Sequence, residues 1–416
     1  MQGYIFELIK EEKKREENTI CLIASENYAS PGILEVAGSV LTNKYAEGYP
    51  GARYYGGCQV VDKVENYARD MGKKTFCADH INVQPHSGSN ANLGVYFSQL
   101  NPGDTVLGMS LSAGGHLTHG HKINFSGKFF NFVPYGVSPE TEQIDYDEIE
   151  ILAQQHKPKM IVAGTSAYSR VIDFKRIHKI AKDNNCLLLI DMAHIAGLVA
   201  AGVHPSPIPF ADFVTSTTHK TLRGPRGGFI CCKAEFAKKL DRAIMPGCQG
   251  GPLMNIIGAK GLAFEQAQTK EFKEYQEQVV KNAKAMVKVF KELGYRIVAD
   301  GTDNHLFLID LEAKNKKDQL EGQARLTGKE VEFVLQKCNI ILNRNSIPFE
   351  TQPPTNPSGI RIGTPAITTR GFKEKEAETV VYWIDEAIKN KDDQAFIEKL
   401  KVKVEQFCKD FPIYEE

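Results

Sequence analysis

The sequence predicts an α/β fold with a mainly parallel sheet, followed by a smaller α+β domain. Short apolar runs of strand length alternate with stretches that repeat apolar residues every three or four positions, as in chains built from βαβ units. Near residue 270 this alternation gives way to one long charged helical pattern and then to shorter elements. Of the 416 residues, 42% are hydrophobic and 25% are charged, which is typical of a compact globular chain.

The first domain contains apolar runs bounded by turn residues, which predict strands at Thr105–Leu107, Met160–Ala163, Leu187–Ile190, Phe213–Thr215 and Gly228–Cys232. Helix starts are readable between them. The segment Asp145 to Glu148 has the pattern of a capping box, and Asp173 precedes an apolar stripe that begins at Ile177.

The second domain follows a helix whose apolar stripe runs from Phe272 to Leu293 and ends at Gly294. It is predicted to hold strands at 296–298, 305–311 and 339–342, a helix opened by a capping box at Thr327, and helices from about residues 372 and 393. The four prolines of Pro348–Ser358 exclude regular structure and indicate an ordered or ligand-facing loop. We therefore expect a helical arm (1–25), a large domain (26–270), a connecting helix (271–295) and a small domain (296–416).

Charge and composition exclude several classes of protein. Lys+Arg and Asp+Glu both number 51, so no excess positive field favours nucleic acid. Apolar runs such as Leu187–Ile190 are too short to cross a bilayer. The nine cysteines are scattered without a CxxC pair, and we interpret them as reduced thiols of a cytoplasmic protein.

Lys220 follows His219 in a segment rich in hydroxyl side chains and glycine, directly after a predicted strand. In α/β folds such a position faces the crevice at the carboxyl ends of the strands. Lys220 is therefore a candidate for forming a Schiff base. The alternative is an ordinary surface lysine in a turn.

Asp191 ends an apolar run, and His194 lies three residues beyond it. A buried carboxylate needs a cation or several hydrogen-bond donors, and a protonated pyridine nitrogen would serve. The alternative is a buried helix cap. Together with Lys220, the acid indicates a pyridoxal-phosphate site.

A phosphate seat is predicted at Ser87-Gly88-Ser89, where small residues open a helix whose N–H groups and dipole favour a dianion. An ordinary N-cap has the same pattern. The glycine pair Gly250-Gly251 permits close backbone approach or simply makes a turn.

Three histidines, His116, His119 and His121, stand close together around Gly120. A zinc site would need a further ligand and an ordered, dry setting, whereas the glycine indicates a flexible loop. We expect no metal and assign His116 to ring stacking or hydrogen bonding.

Two charged residues suit an amino-acid substrate. Arg361 lies between glycines in a predicted strand, where a long cation would bind a carboxylate in bidentate fashion or form an internal salt bridge. Glu47 lies in an aromatic, glycine-rich loop, where partial desolvation would suit an acid/base role; a solvated loop carboxylate is the alternative.

Six segments resemble, in order, the signatures of the serine hydroxymethyltransferase family; they span residues 22–27, 43–51, 53–57, 84–89, 191–194 and 217–221. The resemblance implies an aminotransferase-like, fold-type-I pyridoxal-phosphate enzyme with a seven-stranded sheet in its large domain. It also implies the interconversion of L-serine and glycine with tetrahydrofolate and 5,10-methylenetetrahydrofolate. A cytoplasmic homodimer with shared active sites, or a dimer of dimers, is expected.

The resemblance also implies roles for individual residues. Catalysis would rest on Lys220 as the Schiff-base lysine, Glu47 as acid/base group, Tyr55 and His219. The cofactor would be bound by Ser87, Gly88, Ser89, His116, Ser166, Asp191, His194, His219 and Lys220, joined by Tyr45, Gly250 and Gly251 of the neighbouring subunit. The substrate would be bound by Ser25, Tyr55 and Arg361, and folate by Glu47, Tyr54, Leu111, Gly115, His116, Leu117 and Asn345.

Some positions depart from the family pattern, namely Ala113, Cys248, Asn255 and the loop 350–357. The altered loop favours a second hypothesis, a folate-independent pyridoxal-phosphate aldolase for β-hydroxy amino acids such as threonine or allothreonine. A third hypothesis, outside enzymes, is an RNA-binding or regulatory protein on the same scaffold, against which the intact candidate residues and the zero net charge argue.

Overall fold

The chain forms two compact units in a computed structural model that describes residues 3–312 and 326–414. The large unit consists of Ala29–Ser166 and Val171–Gln276, and the small unit of Met1–Tyr28, Ala167–Arg170 and Glu277–Glu416. The boundary between Gln276 and Glu277 falls inside the predicted connecting helix. The domain ranges given above stay predictions, and their parts on residues 1, 2, 313–325, 415 and 416 lie outside the described residues.

The helices, in chain order, are α1 (Tyr4–Glu17), α2 (Pro31–Ala37), α3 (Gln59–Phe76), α4 (Gly88–Gln99), α5 (Phe125–Phe129), α6 (Tyr146–His156), α7 (Phe174–Asp183), α8 (Ala196–Ala200), α9 (Ala237–Arg242), α10 (Met254–Gln266), α11 (Lys270–Glu292), α12 (Gly328–Lys337), α13 (Pro365–Thr369), α14 (Glu374–Lys389) and α15 (Gln394–Cys408). The strands are β1 (Ile20–Cys21), β2 (Gly48–Tyr49), β3 (Ala52–Arg53), β4 (His80–Asn82), β5 (Thr105–Met109), β6 (Asn131–Tyr135), β7 (Met160–Gly164), β8 (Leu187–Asp191), β9 (Phe213–Thr217), β10 (Gly228–Cys232), β11 (Arg296–Ile297), β12 (Leu306–Asp310), β13 (Ile340–Ile341), β14 (Asn343–Asn345) and β15 (Gly359–Gly363).

The large unit is built on one seven-stranded sheet of order β4-β10-β9-β8-β7-β5-β6. β10 runs antiparallel to both neighbours, and the other adjacent pairs are parallel. Apolar side chains of this sheet, such as Val162, Leu189 and Phe213, pack in one core with Val95 and Tyr96 of α4. The predicted mainly parallel, seven-stranded sheet and its five predicted strands are confirmed.

The topology brings one end of several strands to a common edge of this sheet. β5, β7, β8 and β9 all end there, because neighbouring parallel strands point the same way. The antiparallel β10 begins at the same edge, with Gly228 paired to Thr217. The loops that leave this edge carry most of the predicted cofactor residues, as expected for ligand sites in open α/β sheets.

The small unit contains an antiparallel sheet of order β11-β12-β15-β14. Its core joins the apolar stripe of α11 to the sheet and to α14, with Phe290, Phe307 and Trp383 among its buried residues. The capping box at Thr327 is confirmed, because Glu330 N–H and carboxylate both bond to it. The strand predicted at 339–342 pairs in parallel with β1.

One capping prediction is wrong in part. Asp145 caps α6 as expected, since its carboxylate accepts from the N–H groups of Asp147 and Glu148. The carboxylate of Glu148 does not complete the box; it accepts from Gly136 N–H at 2.9 Å. A backbone donor from the end of a neighbouring strand has replaced the local partner.

Two further expectations concern the whole chain. All nine cysteines lie within the described ranges, and each is a free thiol. Within residues 3–312 and 326–414, no helix combines the length and the apolar character that a membrane span needs.

Candidate active site

Asp191 ends β8 and forms the centre of a buried polar cluster in the large unit. One carboxylate oxygen accepts from His119 Nε2 at 3.2 Å and Asn92 Nδ2 at 2.9 Å, and the other accepts from Ala193 N–H at 3.1 Å. Burial by itself would raise the pKa of Asp191, but the hydrogen bonds that it accepts from His119 and Asn92 bring the pKa below its ordinary value. The site therefore holds a carboxylate that stays ionised.

The hydrogen bonds around Asp191 define the proton positions on two imidazoles. His119 Nδ1 accepts from His116 N–H at 3.2 Å, so its proton lies on Nε2 and is donated to Asp191. His116 Nδ1 accepts from Thr118 N–H at 3.2 Å. Burial lowers the pKa of His116 to about 4 against the opposing charge of Asp191. A neutral ring of this kind suits stacking on a planar ligand.

The same cluster contains three possible metal ligands, His116, His119 and Asp191, whose ligand atoms lie within 4.8 Å of one another. A metal ion needs a lone pair on each imidazole nitrogen that faces it. On His119 that nitrogen carries a proton, because backbone N–H occupies the other one. The arrangement thus favours an N–H cation as the partner of Asp191 over a metal, and His121 is not part of the three-residue group.

The predicted phosphate seat lies where α4 begins. The Ser87 hydroxyl caps the helix by accepting from Asn90 N–H at 3.2 Å. A Cβ added at Gly88 would lie 2.7 Å from Thr217 Cγ2, so only glycine allows the helix start to approach the end of β9 this closely. The N–H groups of the first helical turn and the dipole make this an anion site.

Two buried nitrogens beside this seat have no hydrogen-bond partner within the part of the chain that the structure describes, Nδ1 of His219 and Nε2 of His86. Buried polar atoms without partners are uncommon and indicate a missing ligand or water. Burial, and secondarily the charge of Arg226 and Lys220, lowers the pKa of His219 to about 3. His219 is therefore a neutral imidazole with one ring nitrogen still open to a ligand or a water molecule.

Lys220 lies three residues beyond β9 and is 9% exposed. Its charge contributes to the lowered pKa of both His116 and His219, which places its amine near both rings. The structure therefore brings together a buried amine, an ionised carboxylate and an anion seat at one edge of the sheet. These residues fit pyridoxal phosphate, which carries an aldehyde, a pyridine nitrogen and a phosphate.

A second cluster surrounds Glu47. Tyr45 donates its hydroxyl to Glu47 Oε1 at 3.2 Å, and the rings of Tyr45 and Tyr55 meet edge to face at 5.4 Å. The charge of Glu47 raises the pKa of Tyr45. A Cβ at Gly250 would lie 3.0 Å from Glu47 Oε1, and one at Gly251 would lie 3.0 Å from the Tyr45 ring. Within one chain, then, the predicted residues Tyr45, Glu47, Tyr55, Gly250 and Gly251 lie together.

A family model for serine hydroxymethyltransferase matches residues 1–384. The chain belongs to the serine hydroxymethyltransferase family. It is accordingly a pyridoxal-phosphate-dependent transferase of fold type I, from a family whose substrates are serine, glycine and tetrahydrofolate and which also includes related aldolases.

The remaining predicted residues of this hydroxymethyltransferase chain occupy loops at the same edge or lie in the small unit. Ser166 N–H donates to Gly114 O at 2.7 Å, which joins the loop after β7 to the loop of Leu111, Gly115 and Leu117. His194 is buried, and its carbonyl accepts from the Thr221 hydroxyl at 2.9 Å. Tyr54, Leu111 and Leu117 are exposed, as is Ser89 at the start of α4.

The small unit places the predicted carboxylate-binding residues around β15. Arg361 lies at the centre of that strand, and its Nε donates to Asn343 Oδ1 at 3.1 Å. Burial lowers the pKa of Arg361 to about 10, so it stays charged at neutral pH. β14 ends at Asn345 and pairs with β15. The segment before Ser25 contacts the last residue of β15, because Leu22 O accepts from Gly363 N–H.

Sequence reasoning did not assign the residues that hold these clusters in place, and it considered His119 only as a possible metal ligand. Asn92, Thr118 and His119 surround Asp191, and Thr215 donates to Asn92 at 2.6 Å. One signal was present: Asn92 is a polar residue between Ala91 and Val95 on the face of α4 that packs in the core.

The loop of Glu47 also has an unpredicted support. Arg53 Nη1 donates to the carbonyls of Ala46 and Gly48, on both sides of Glu47. The same guanidinium bonds Glu65 at 2.7 Å, and Glu65 in turn accepts from Gln84. Since Glu65 and Arg53 side chains are almost fully buried, this network fixes the backbone that presents Glu47.

Proposed function

We propose that the protein interconverts L-serine and glycine, with tetrahydrofolate and 5,10-methylenetetrahydrofolate as the one-carbon acceptor and donor. The observation that carries the proposal is the joint placement of a buried amine, Lys220, an ionised carboxylate, Asp191, and an anion seat at Ser87 on one sheet edge. The family match supports the same reaction class.

The cofactor would be held by residues of the large unit. Ser87, Gly88, Ser89 and His219 would bind the phosphate, with Tyr45, Gly250 and Gly251 supplied by a second subunit. Asp191 would keep the pyridine nitrogen protonated, His116 would stack on the ring, and Ser166 and His194 would face its oxygen. When bound, pyridoxal phosphate supplies an electron sink for charge that develops at the α-carbon of the amino acid.

The substrates would be oriented by the remaining predicted residues. Arg361, Ser25 and Tyr55 would bind the amino-acid carboxylate, since a guanidinium matches it in bidentate geometry. Glu47 would move the proton of the serine hydroxyl. Tyr54, Leu111, Gly115, Leu117 and Asn345 would contact the folate.

An absorption spectrum of the purified protein tests the cofactor site. We expect a visible band from bound pyridoxal phosphate, lost in Lys220→Ala because the amine is removed. Lys233→Ala is the matched control, since Lys233 pairs with Asp212 at the other edge of the sheet and should leave the band unchanged. A wild-type protein that neither contains nor takes up the cofactor would refute the proposal.

A second candidate function is a folate-independent aldolase for threonine or allothreonine, favoured by the altered loop 350–357. In the structure this loop is organised by Glu350, whose carboxylate accepts from Ser358 N–H and hydroxyl at 2.8 Å. Glycine formation from serine with and without tetrahydrofolate separates the two reactions. Strict folate dependence selects the transferase, and equal rates select the aldolase.

We further propose a cytoplasmic homodimer. Free thiols suit a reducing compartment. α1 buries none of its residues and exposes Tyr4, Ile5 and Phe6, an apolar surface that a second copy would cover. Light scattering should give the mass of a dimer for the wild type and of a monomer for the double variant Ile5→Glu, Phe6→Glu; a dimeric variant would contradict the role of α1.

A further inference from the structure

Lys260 is a fully buried lysine that the proposed chemistry does not use. It lies on α10, is 1% exposed, and its ammonium donates to three backbone carbonyls, Val83 O at 2.7 Å, Pro85 O at 2.9 Å and Gly228 O at 2.8 Å. Three donors and three acceptors match the protonated amine, which has no lone pair. Its bonds are therefore those of a buried cation.

The three carbonyls belong to the two segments that form the anion seat. Val83 and Pro85 lead directly into Ser87, where α4 begins, and Gly228 closes the segment that contains His219 and Lys220. The segments also bond each other, since Gly228 N–H donates to Pro85 O at 3.1 Å. Lys260 thus bonds to both segments that form the anion seat.

The neighbouring backbone makes room for this side chain. A Cβ at Gly227 would lie 2.4 Å from Lys260 Cε, so a larger residue at position 227 would force the lysine side chain to move. The position of the Lys260 side chain therefore depends on the glycine at position 227.

An anion close to Lys260 would favour its protonated form. Burial lowers the pKa of Lys260 to about 7, with the charge of Glu65 opposing. Glu65 is already engaged by Arg53 and Gln84. A phosphate dianion at the start of α4 would supply the missing charge, because Coulomb interactions are strong in such a poorly hydrated region.

We propose that Lys260 is a positioning residue for a phosphate monoester: its protonated amine holds the two segments that form the seat together and supplies positive charge to it. The inference rests on the proposed cofactor. Lys260 would make the site select pyridoxal phosphate over pyridoxal, which lacks the phosphate.

The test compares the affinity of the apoprotein for pyridoxal 5′-phosphate and for pyridoxal, by absorbance titration, in the wild type, Lys260→Met and Lys260→Gln. We expect either variant to weaken the phosphate ester by about tenfold or more, as for the loss of a buried charge-assisted contact, and pyridoxal by less than about twofold. Inorganic phosphate should raise the melting temperature of the wild type more than that of the variants.

Phe264→Leu is the matched control, because Phe264 is buried on the same helix and packs on Phe76 and Phe229 rather than on the seat. It should change both affinities equally. If Lys260→Met does not fold, Lys260→Gln, which is one atom shorter than lysine but retains two N–H donors, decides the question. Equal weakening of both ligands, or none, overturns the inference, whereas a wild type that binds neither refutes the proposed function instead.

Discussion

The large sheet has one aspartate at the carboxyl ends of its strands and another at the amino ends, and the two carboxylates have different hydrogen-bond partners. Asp191, at the carboxyl edge, is held by neutral donors, an imidazole, an amide and a backbone N–H. Asp212, at the amino edge, forms an ion pair with Lys233 at 2.5 Å and accepts from Leu188 N–H at 2.8 Å. Only Asp191 keeps its negative charge without a cation bonded to it.

The difference indicates which edge is prepared for a ligand. A carboxylate stabilised by neutral donors can still bind a cationic ligand. A carboxylate that is already paired with a lysine has its charge compensated and needs no further cation. Asp212 and Lys233 also line two cavities of about 340 and 530 Å³, so empty volume alone does not mark the edge that carries the candidate cofactor residues. The polar groups, rather than the empty volume, locate the chemistry here.

The largest effect is expected from Asp191→Asn. The amide keeps the shape but cannot hold a pyridine nitrogen protonated, so we expect kcat for serine cleavage to fall on the order of 10²–10³-fold. Steady-state kinetics at saturating cofactor measure it, with circular dichroism to establish that the fold is retained. Activity within a few-fold of the wild type would remove Asp191 from the proposed role.

A smaller effect is expected from His119→Phe, which retains a ring but removes the donor to Asp191. Loss of this donor raises the pKa of Asp191 from its lowered value, so the ionised form is lost at higher pH than in the wild type. We expect cofactor affinity to weaken about tenfold and its decline at acid pH to begin earlier. Titrations from about pH 5 to about pH 8 check this; an unchanged acid limb would show that His119 does not control the carboxylate.

The sequence predicted Asp191 because the relevant signal is local: an acid at the end of an apolar run. Its donors were not predictable in the same way. Asn92 and His119 are 99 and 72 residues away in the chain, and only the strand order of the sheet brings them to β8. A single sequence contains periodicity but not the pairing of distant elements.

Lys260 shows the same limit in another form. Its neighbours Gly258, Ala259 and Gly261 are small, and within a helix a lysine is normally a surface residue. The available signal was the apolar character of nearly all of α10, which predicts a helix buried on most faces and therefore a buried amine. Its acceptors, backbone carbonyls, carry no sequence signature.

The fold itself was predicted where hydrophobic periodicity is strong, as in β7, β8 and α11. The capping box at Asp145 failed because the N–H of Gly136, a residue remote in sequence, competes for the Glu148 carboxylate. Local capping patterns predict where a helix begins more reliably than they predict which donor a side chain finally contacts.

Asp212→Asn should affect stability but not catalysis. The change removes an ion pair whose lysine is partly exposed, so the free energy of unfolding should fall by about 1 kcal/mol. Urea unfolding measures the change, and kcat should stay within about twofold. A large loss of activity with normal stability would mean that the amino edge also serves the reaction.

The smallest effect is expected from Asp183→Asn on α7. Asp183 pairs with Lys179 at 2.5 Å, but both side chains are exposed, 47% and 74%, so water and salt screen the attraction. The carboxylate also lies at the C-terminal end of α7, where the helix dipole disfavours negative charge. Removing the charge therefore offsets part of the stability that is lost with the ion pair. The net change in the free energy of unfolding should be too small to resolve by urea titration. An equal change in the free energy of unfolding for Asp183→Asn and Asp212→Asn would contradict this explanation. Burial and hydrogen-bond partners would then not determine how much each aspartate contributes to stability.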